Sequence, residues 1–333
     1  MRGGLMAEPV SEPIVEARSL RKEFGPTVAV RDISFQVSRG EVVGFLGPNG
    51  AGKSTTAKML TGFLRPTAGA AFIGGIDVAA DPLGAQRKIG YLPENTPLYD
   101  DMMVIDFLRF VGELRGLRGN ILSKRMRMVC ERCGLTEVLG KDIGQLSKGY
   151  RQRAGLAQAL LHDPEVLIFD EPTSGLDPNQ IVEIRGLIKE LGSEKTIILS
   201  THILPEVQAS CGRVIIVNKG ALVADDATDA LTEANAGAVV RVVVAPGALT
   251  LDPQKILAAF VAVAGVSSVE QRDGEGNGTL GFLVRAKRSL DPRPGLFQAA
   301  VESGFVLLDM HRERASLEET FRSLTMEGRR GHA

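Results

Sequence analysis

The sequence predicts an α/β fold: a parallel sheet around one phosphate-binding loop, interrupted by a helical insert and followed by a small α+β domain. Three observations carry this expectation. The string GPNGAGKS stands at 47–54 between an apolar run and a helical pattern. Short β-rich runs alternate with helical runs from 154 to 230, the mark of a parallel α/β sheet. After residue 230 the order changes to βαββαβ.

Length and composition bound the problem. A chain of 333 residues suggests two domains, at ~100–200 residues each. With 44% hydrophobic and 24% charged residues it falls among globular proteins, not disordered or fibrous ones. A formal net charge of −1 supplies no global drive toward nucleic acid or anionic lipid. The longest strongly apolar run, ILAAFVAVAGV at 256–266, is shorter than the ~20 residues a spanning helix needs. The opening MRGGLMAEPV lacks the apolar core of a secretory signal. The chain is therefore expected in the cytosol, with any membrane role reached through a partner.

Taken in order, residues 14–46 alternate and end in VVGFLG, which predicts strands entering a buried sheet. GPNGAG breaks the strand and KSTTAKMLTG reads as a helix. From 104 to 139 the pattern is helical, VIDFLRFVGELRGL and then SKRMRMVCERCGLTEVL. VLIFD, TIILS and RVIIV read as strands, AGLAQALL and IVEIRGLIKELG as helices. Domains are expected at 14–230, with a helical subdomain at about 95–153, and at 231–333. In the second, VVRVVVA, VSSVEQR, LGFLVRA and FVLLDMH read as strands. PQKILAAFVAVAG and GLFQAAVES read as helices, DGEGNG as a turn and SLEETFRSLT as a last helix. That order is ferredoxin-like.

GPNGAGKS, Gly47 to Ser54, matches G-x-x-x-x-G-K-[ST] in full. Its glycines allow the backbone amides to curl around phosphate oxygens, and the helix that follows turns its positive dipole end toward the same anion. Lys53 reaches the β and γ phosphates, and Ser54 offers a hydroxyl to Mg²⁺. Such a loop needs a metal-holding acid at the end of a neighbouring strand. VLIFDEP supplies Asp170 for Mg²⁺ or its waters, and Glu171 to accept a proton from an attacking water.

LSKGYRQR at 146–153 reads both as a helix start capped by Ser147 and as a phosphate contact. Cys130 and Cys133 form a CxxC inside an Arg-rich helical run with no second pair or histidine nearby. A zinc site takes about four ligands, so plain helix positions are the expected role. Cys211 stands alone. His162, His311 and His332 fit no chemical role.

These motifs, in this order, resemble the ATP-binding subunit of an ABC transporter over about residues 14–230. LSKGYRQR falls where that family carries its signature, SGLD at 174–177 looks like its D-loop, and STH at 200–202 like its switch histidine. YLPE at 91–94 lies at its Q-loop. Phe24 lies where an aromatic stacks on adenine, although an exposed strand-end aromatic is the equal alternative. The resemblance implies a P-loop (RecA-like) core and a head-to-tail dimer, either homodimer or heterodimer. Each ATP would be held by Gly47, Pro48, Asn49, Gly50, Ala51, Gly52, Lys53, Ser54 and Thr55 of one chain, and by Ser147, Lys148, Gly149 and Tyr150 of the other. It also implies that Glu171 polarises the water, His202 contacts the γ-phosphate, and Asp177 links the two sites. Mg²⁺ would sit between Ser54, Glu94 and Asp170.

Two departures stand out. Glu94 replaces the usual Q-loop glutamine and cannot donate as an amide does. Lys148 and Tyr150 stand where the family usually has Gly and Gln. With a single ATPase core, the family implies a separate multi-span membrane permease. YLPENTPLYDDMMVIDFLRFVGELRGL and the ending SLEETFRSLT resemble the branch serving ABC-2-type permeases, the gliding-motility-like ATPases. The chain is thus expected to drive export from the cytoplasmic face of the membrane. The rival expectation is a soluble ABC ATPase acting on ribosomes or DNA. Such proteins usually join two cores or carry long coiled coils or basic arms, so no nucleic-acid partner is expected here.

Overall fold

The structure, a computed structural model, describes residues 13–235, 239–246, 252–273, 278–287, 290–313 and Phe321. Two compact units divide between Thr228 and Asp229.

The first unit opens with β1 (Val15–Phe24) and β2 (Thr27–Val37), joined through Gly25 and Pro26. A connection this short returns the chain directly, so the pair is antiparallel. β3 (Val42–Leu46) runs into the phosphate loop, and α1 (Lys53–Leu60) leaves it. Then come β4 (Ala68–Ile73), β5 (Ile76–Asp77), α2 (Pro82–Arg87) and β6 (Ile89–Leu92). The helical insert contains α3 (Val104–Leu114), α4 (Gly119–Arg132) and the start of α5 (Lys148–Leu160). β7 (Val166–Asp170), α6 (Pro178–Gly192), β8 (Thr196–Thr201), α7 (Leu204–Ser210), β9 (Arg213–Asn218) and β10 (Ala221–Ala227) complete it. α8 (Thr228–Asn235) follows.

The ten strands lie in the order β5-β4-β1-β2-β10-β9-β3-β8-β7-β6. Only the stretch β9-β3-β8-β7-β6 is parallel throughout. The expected parallel sheet is therefore one half of a mixed one. The reason is local: the first strands and β4-β5 are joined by turns with no helix to carry a crossover. Every residue of β7 and β8 is buried, as a strand covered on both faces requires. The main core joins Val43, Phe45, Met59, Leu60, Ile168, Ile198 and Ile215 from strands and α1. The helical reading of 123–139 breaks at Gly134, which adopts φ +64°. α4 stops there, and only a short 3₁₀ turn at Thr136–Val138 follows.

The second unit holds β11 (Val239–Ala245), α9 (Pro253–Val261), β12 (Val266–Asp273), β13 (Leu280–Ala286), α10 (Arg293–Glu302) and β14 (Val306–Glu313). Its sheet runs β12-β13-β11-β14 with every pair antiparallel, the ferredoxin-like arrangement. It has its own core: Val240, Val242, Val244, Phe282 and Val284 face Ile256, Phe260, Leu296 and Ala300 of the helices. The last helix expected at SLEETFRSLT lies, apart from Phe321, outside the described residues, as do His332 and most of the DGEGNG turn. No helix among the described residues is long and apolar enough to cross a membrane.

Candidate functional site

The phosphate loop is seated by glycines that tolerate nothing larger. A Cβ on Gly47 would lie 2.4 Å from the Val217 carbonyl, and one on Gly52 2.8 Å from that of Ala29. Gly52 also adopts φ +103°, where L side chains are strained. The loop thus rests directly on the backbones of β2 and β9, with α1 starting at Lys53. Lys53 is buried, donates from Nζ to the Gly47 carbonyl at 2.8 Å, and faces Glu171 Oε1 at 3.4 Å.

Parallel pairing of β7 with β8 sets Asp170 against Ser200. The Ser200 hydroxyl donates to Asp170 Oδ1 at 2.8 Å, in a place where Asp170 is 1% exposed. Glu171 follows in the left-handed region at φ +50°, unusual for a residue with a side chain. Its amide donates to the Ser200 carbonyl at 2.9 Å and its carbonyl accepts from the Ser174 amide at 3.1 Å, which fixes the turn. The Glu171 carboxylate then stands between two cationic or polar groups. Oε1 faces Lys53, and Oε2 lies 2.8 Å from His202 Nδ1 just beyond β8.

These groups open on one cavity of about 460 Å³, lined by Asn49, Gly50, Ala51, Gly52, Lys53, Ser54, Thr55, Glu94, Glu171 and His202, together with Ala29 and Ser174. Glu94 and Ser54 also line a second cavity of about 380 Å³, which Asp170, Tyr91 and Phe63 share. Tyr91 is held far above the usual phenol range by burial and by the charges of Asp170 and Glu94, and its hydroxyl has no hydrogen-bond partner. Gly47 and Pro48 complete the loop without lining the cavity. Phe24 is half-exposed at the end of β1, with the Lys22 ammonium 5.2 Å from its ring centre, and is not part of the lining.

The cavity lining also contains none of Ser147, Lys148, Gly149, Tyr150 and Asp177. Ser147 caps α5, its hydroxyl accepting the Tyr150 amide at 3.4 Å. Gly149 is buried because the Gln180 carboxamide lies where its Cβ would be, 2.6 Å away. Lys148 lies over Gly175, its ammonium 2.0 Å from the position a Cβ would take there. Asp177 caps α6 by accepting the Gln180 amide at 3.0 Å. Lys148 and Gly149 therefore lie against Gly175 and Gln180 of their own chain, whereas Ser174, the first residue of SGLD, lines the cavity.

The remaining candidates are quiet. Burial pushes the Cys130 thiol up to about 11 and those of Cys133 and Cys211 to about 12, and all three are free. His162 is held neutral down to about 4, chiefly by burial, and contacts the Ile89 carbonyl at 2.9 Å. Three contributors escaped the sequence reading: Ala29, Ser200 and a buried cluster around Glu206. The one sequence signal for Ser200 was its place two residues before His202, at a strand end parallel to VLIFD.

Comparison with known proteins points to one family. The family model described as ABC transporter matches residues 30–174, and one described as AAA domain, putative AbiEii toxin, Type IV TA system matches 142–207. The chain is 40% identical over 207 residues to the ABC transporter ATP-binding protein NatA of Bacillus subtilis (strain 168), covering 62% of this chain and 84% of that protein. It is 36% identical over 242 residues to the Nod factor export ATP-binding protein I of Cupriavidus pinatubonensis (strain JMP 134 / LMG 1197), covering 71% and 74%. A solved ATP-binding subunit of an ABC transporter superposes with a TM-score of 0.61 at 32% identity, covering 66% of this chain and 91% of that one. Similar at this level over most of the length of both relatives, the chain belongs to the ATP-binding subunits of ABC transporters, a family of ATPases that bind and hydrolyse ATP.

Proposed function

We propose that the chain is the motor of an ABC-2-type exporter: it dimerises head to tail on ATP and drives a separate multi-span permease from the cytoplasmic face of the membrane. The observation that carries this reading is the division of the site. One chain presents Lys53, Glu171 and His202 at a cavity, while Ser147 to Tyr150, with Ser147 and Lys148 exposed, contribute nothing to its lining. A second copy turned to face the first would complete both sites.

In this reading the phosphate loop and Lys53 hold the triphosphate, and Lys53 exchanges its contact with the Gly47 carbonyl for phosphate oxygens. Glu171 takes the proton of the attacking water. His202 orients that carboxylate through Nδ1 and turns its other ring nitrogen to the γ-phosphate. From across the interface, Ser147 and the Gly149 amide meet the γ-phosphate, Lys148 adds a cation there, and Asp177 links the two sites. Phe24 serves as the adenine shelf. Ser54, Asp170 and Glu94 offer hydroxyl and carboxylate oxygens, the hard donor set that suits Mg²⁺, with the Ser200 hydroxyl fixing one Asp170 oxygen. Bound with the nucleotide, that ion neutralises charge developing on the phosphate oxygens.

The second cavity is the seat for a cytoplasmic helix of the permease. Phe63, which lines it, is 77% exposed, a large apolar side chain left open to a partner. Export as the direction is supported by the Nod factor export relative and by the resemblance of 91–117 to ABC-2 motors. The test has two arms. Glu171→Gln with ATP should run at twice the monomer mass by light scattering, and Ser147→Arg should return it to monomer. A mild-detergent pull-down should recover a multi-span membrane protein. Persistent monomer, or recovery of ribosomes or DNA with no membrane protein, overturns the reading.

A further inference from the structure

Glu206, on α7 and four residues beyond His202, is only 1% exposed. A carboxylate so far from water is retained only where its oxygens are bonded. Here both are. Oε2 accepts the Thr201 hydroxyl at 2.7 Å, and Oε1 accepts the Thr173 hydroxyl. Thr201 Oγ1 in turn accepts the Ile203 amide at 3.0 Å. The residue enclosed by that small turn is His202, so the Glu206 carboxylate sets the backbone that aims the imidazole. Thr173 stands two residues after Glu171, whose left-handed φ of +50° needs the segment beyond it held. Arg185 of α6 approaches Glu206 Oε1 at 3.8 Å and keeps the buried carboxylate in a cationic surrounding. Glu206 lines neither cavity described above, so its influence on the chemistry passes through the two threonines.

We propose that Glu206 is a positioning residue for ATP hydrolysis: one buried carboxylate ties the His202 turn to the segment after Glu171, and thereby sets the 2.8 Å contact between them. This rests on the roles given above to Glu171 and His202. The clamp also joins the segment leading to Asp177 with the switch histidine, so a displacement of one is felt by the other.

The test compares full-length variants by single-turnover ATP hydrolysis and by equilibrium ATP binding. Glu206→Gln and Thr201→Val should each slow hydrolysis by roughly tenfold, the size of one lost charge-assisted hydrogen bond. Their ATP Kd should stay within about twofold of wild type, a split that general loosening of the fold would not produce. Thr201→Ser keeps the hydroxyl and should restore the rate. Added to His202→Ala, Thr201→Val should not slow hydrolysis further, because it acts through the same side chain. Wild-type rates in both single variants, or an undiminished effect of Thr201→Val on the His202→Ala background, overturn the proposal. If Glu206→Gln fails to fold, the Thr201→Val and Thr201→Ser pair decides alone. The two readings fail differently: wild-type rates in Glu171→Gln and His202→Ala remove the catalytic assignment itself, whereas slow hydrolysis there with normal Glu206→Gln removes only the clamp.

Discussion

Glu171 shows how a single side chain is aimed by its place in the chain. It leaves β7 in the left-handed region, and the carboxylate is thereby turned back between Lys53 and His202. A non-glycine residue there costs about 1–2 kcal/mol, which the surrounding hydrogen bonds offset. Glu171→Gln keeps shape and turn but removes the proposed base, so single-turnover hydrolysis should fall by about 100-fold or more while ATP still binds. Retention of the rate would show that another group takes the proton. Gly52 is the converse case, a residue required for what it lacks. Gly52→Ala meets the Ala29 carbonyl at 2.8 Å and a φ of +103°, and nucleotide binding should be lost in a calorimetric titration.

Elements place these residues by their ends. α5 begins at Ser147, whose hydroxyl caps it at 3.4 Å, a long bond at the weak end of the range for caps. Ser147→Ala should therefore cost about 0.5 kcal/mol in thermal unfolding, yet abolish ATP-dependent dimerisation if the same hydroxyl meets a γ-phosphate in the partner. α4 carries Cys130, and Cys133 caps its C-terminal end. With thiols held at about 11 and about 12, both should resist alkylation at pH 8 until the protein unfolds, as should Cys211. Between α5 and β7, His162 is neutral in the folded state down to about 4, whereas the unfolded chain takes up its proton near the ordinary 6.5. The unfolded state binds more protons in that window, so stability falls as pH drops from 6.5 toward 4, by no more than about 3 kcal/mol. His162→Gln should flatten that part of the stability profile.

At the scale of the whole molecule, the two cores share no residue. Two unfolding transitions are expected in calorimetry, and ATP should raise only the one belonging to the first unit, since linkage stabilises what the ligand binds. The ferredoxin-like unit carries none of the residues proposed for the ATP site, and we propose for it a regulatory or dimer-contact role. Removal of 231–333 should leave ATP binding in place and change dimerisation or the ATPase rate. A truncated chain indistinguishable from the full one would refute that role.

What could be read from the sequence and what could not divide along a physical line. GPNGAGKS, VLIFDEP and the βαββαβ order are local: turn chemistry, strand burial and helix polarity act over a few residues, so a string of letters is enough to predict them. The antiparallel half of the main sheet was missed because pairing depends on which distant strands meet. Ala29, Ser200 and Glu206 were illegible for the same reason. Ala29 matters through a backbone carbonyl under Gly52, Ser200 through parallel register with Asp170, and Glu206 through hydroxyls 33 and 5 residues away. The sequence by itself determined the family, the phosphate loop and the acid pair. Only the tertiary structure decided that Glu171 faces both Lys53 and His202, and that Ser147 does not reach the cavity of its own chain, because contacts between segments far apart in sequence set where each side chain ends.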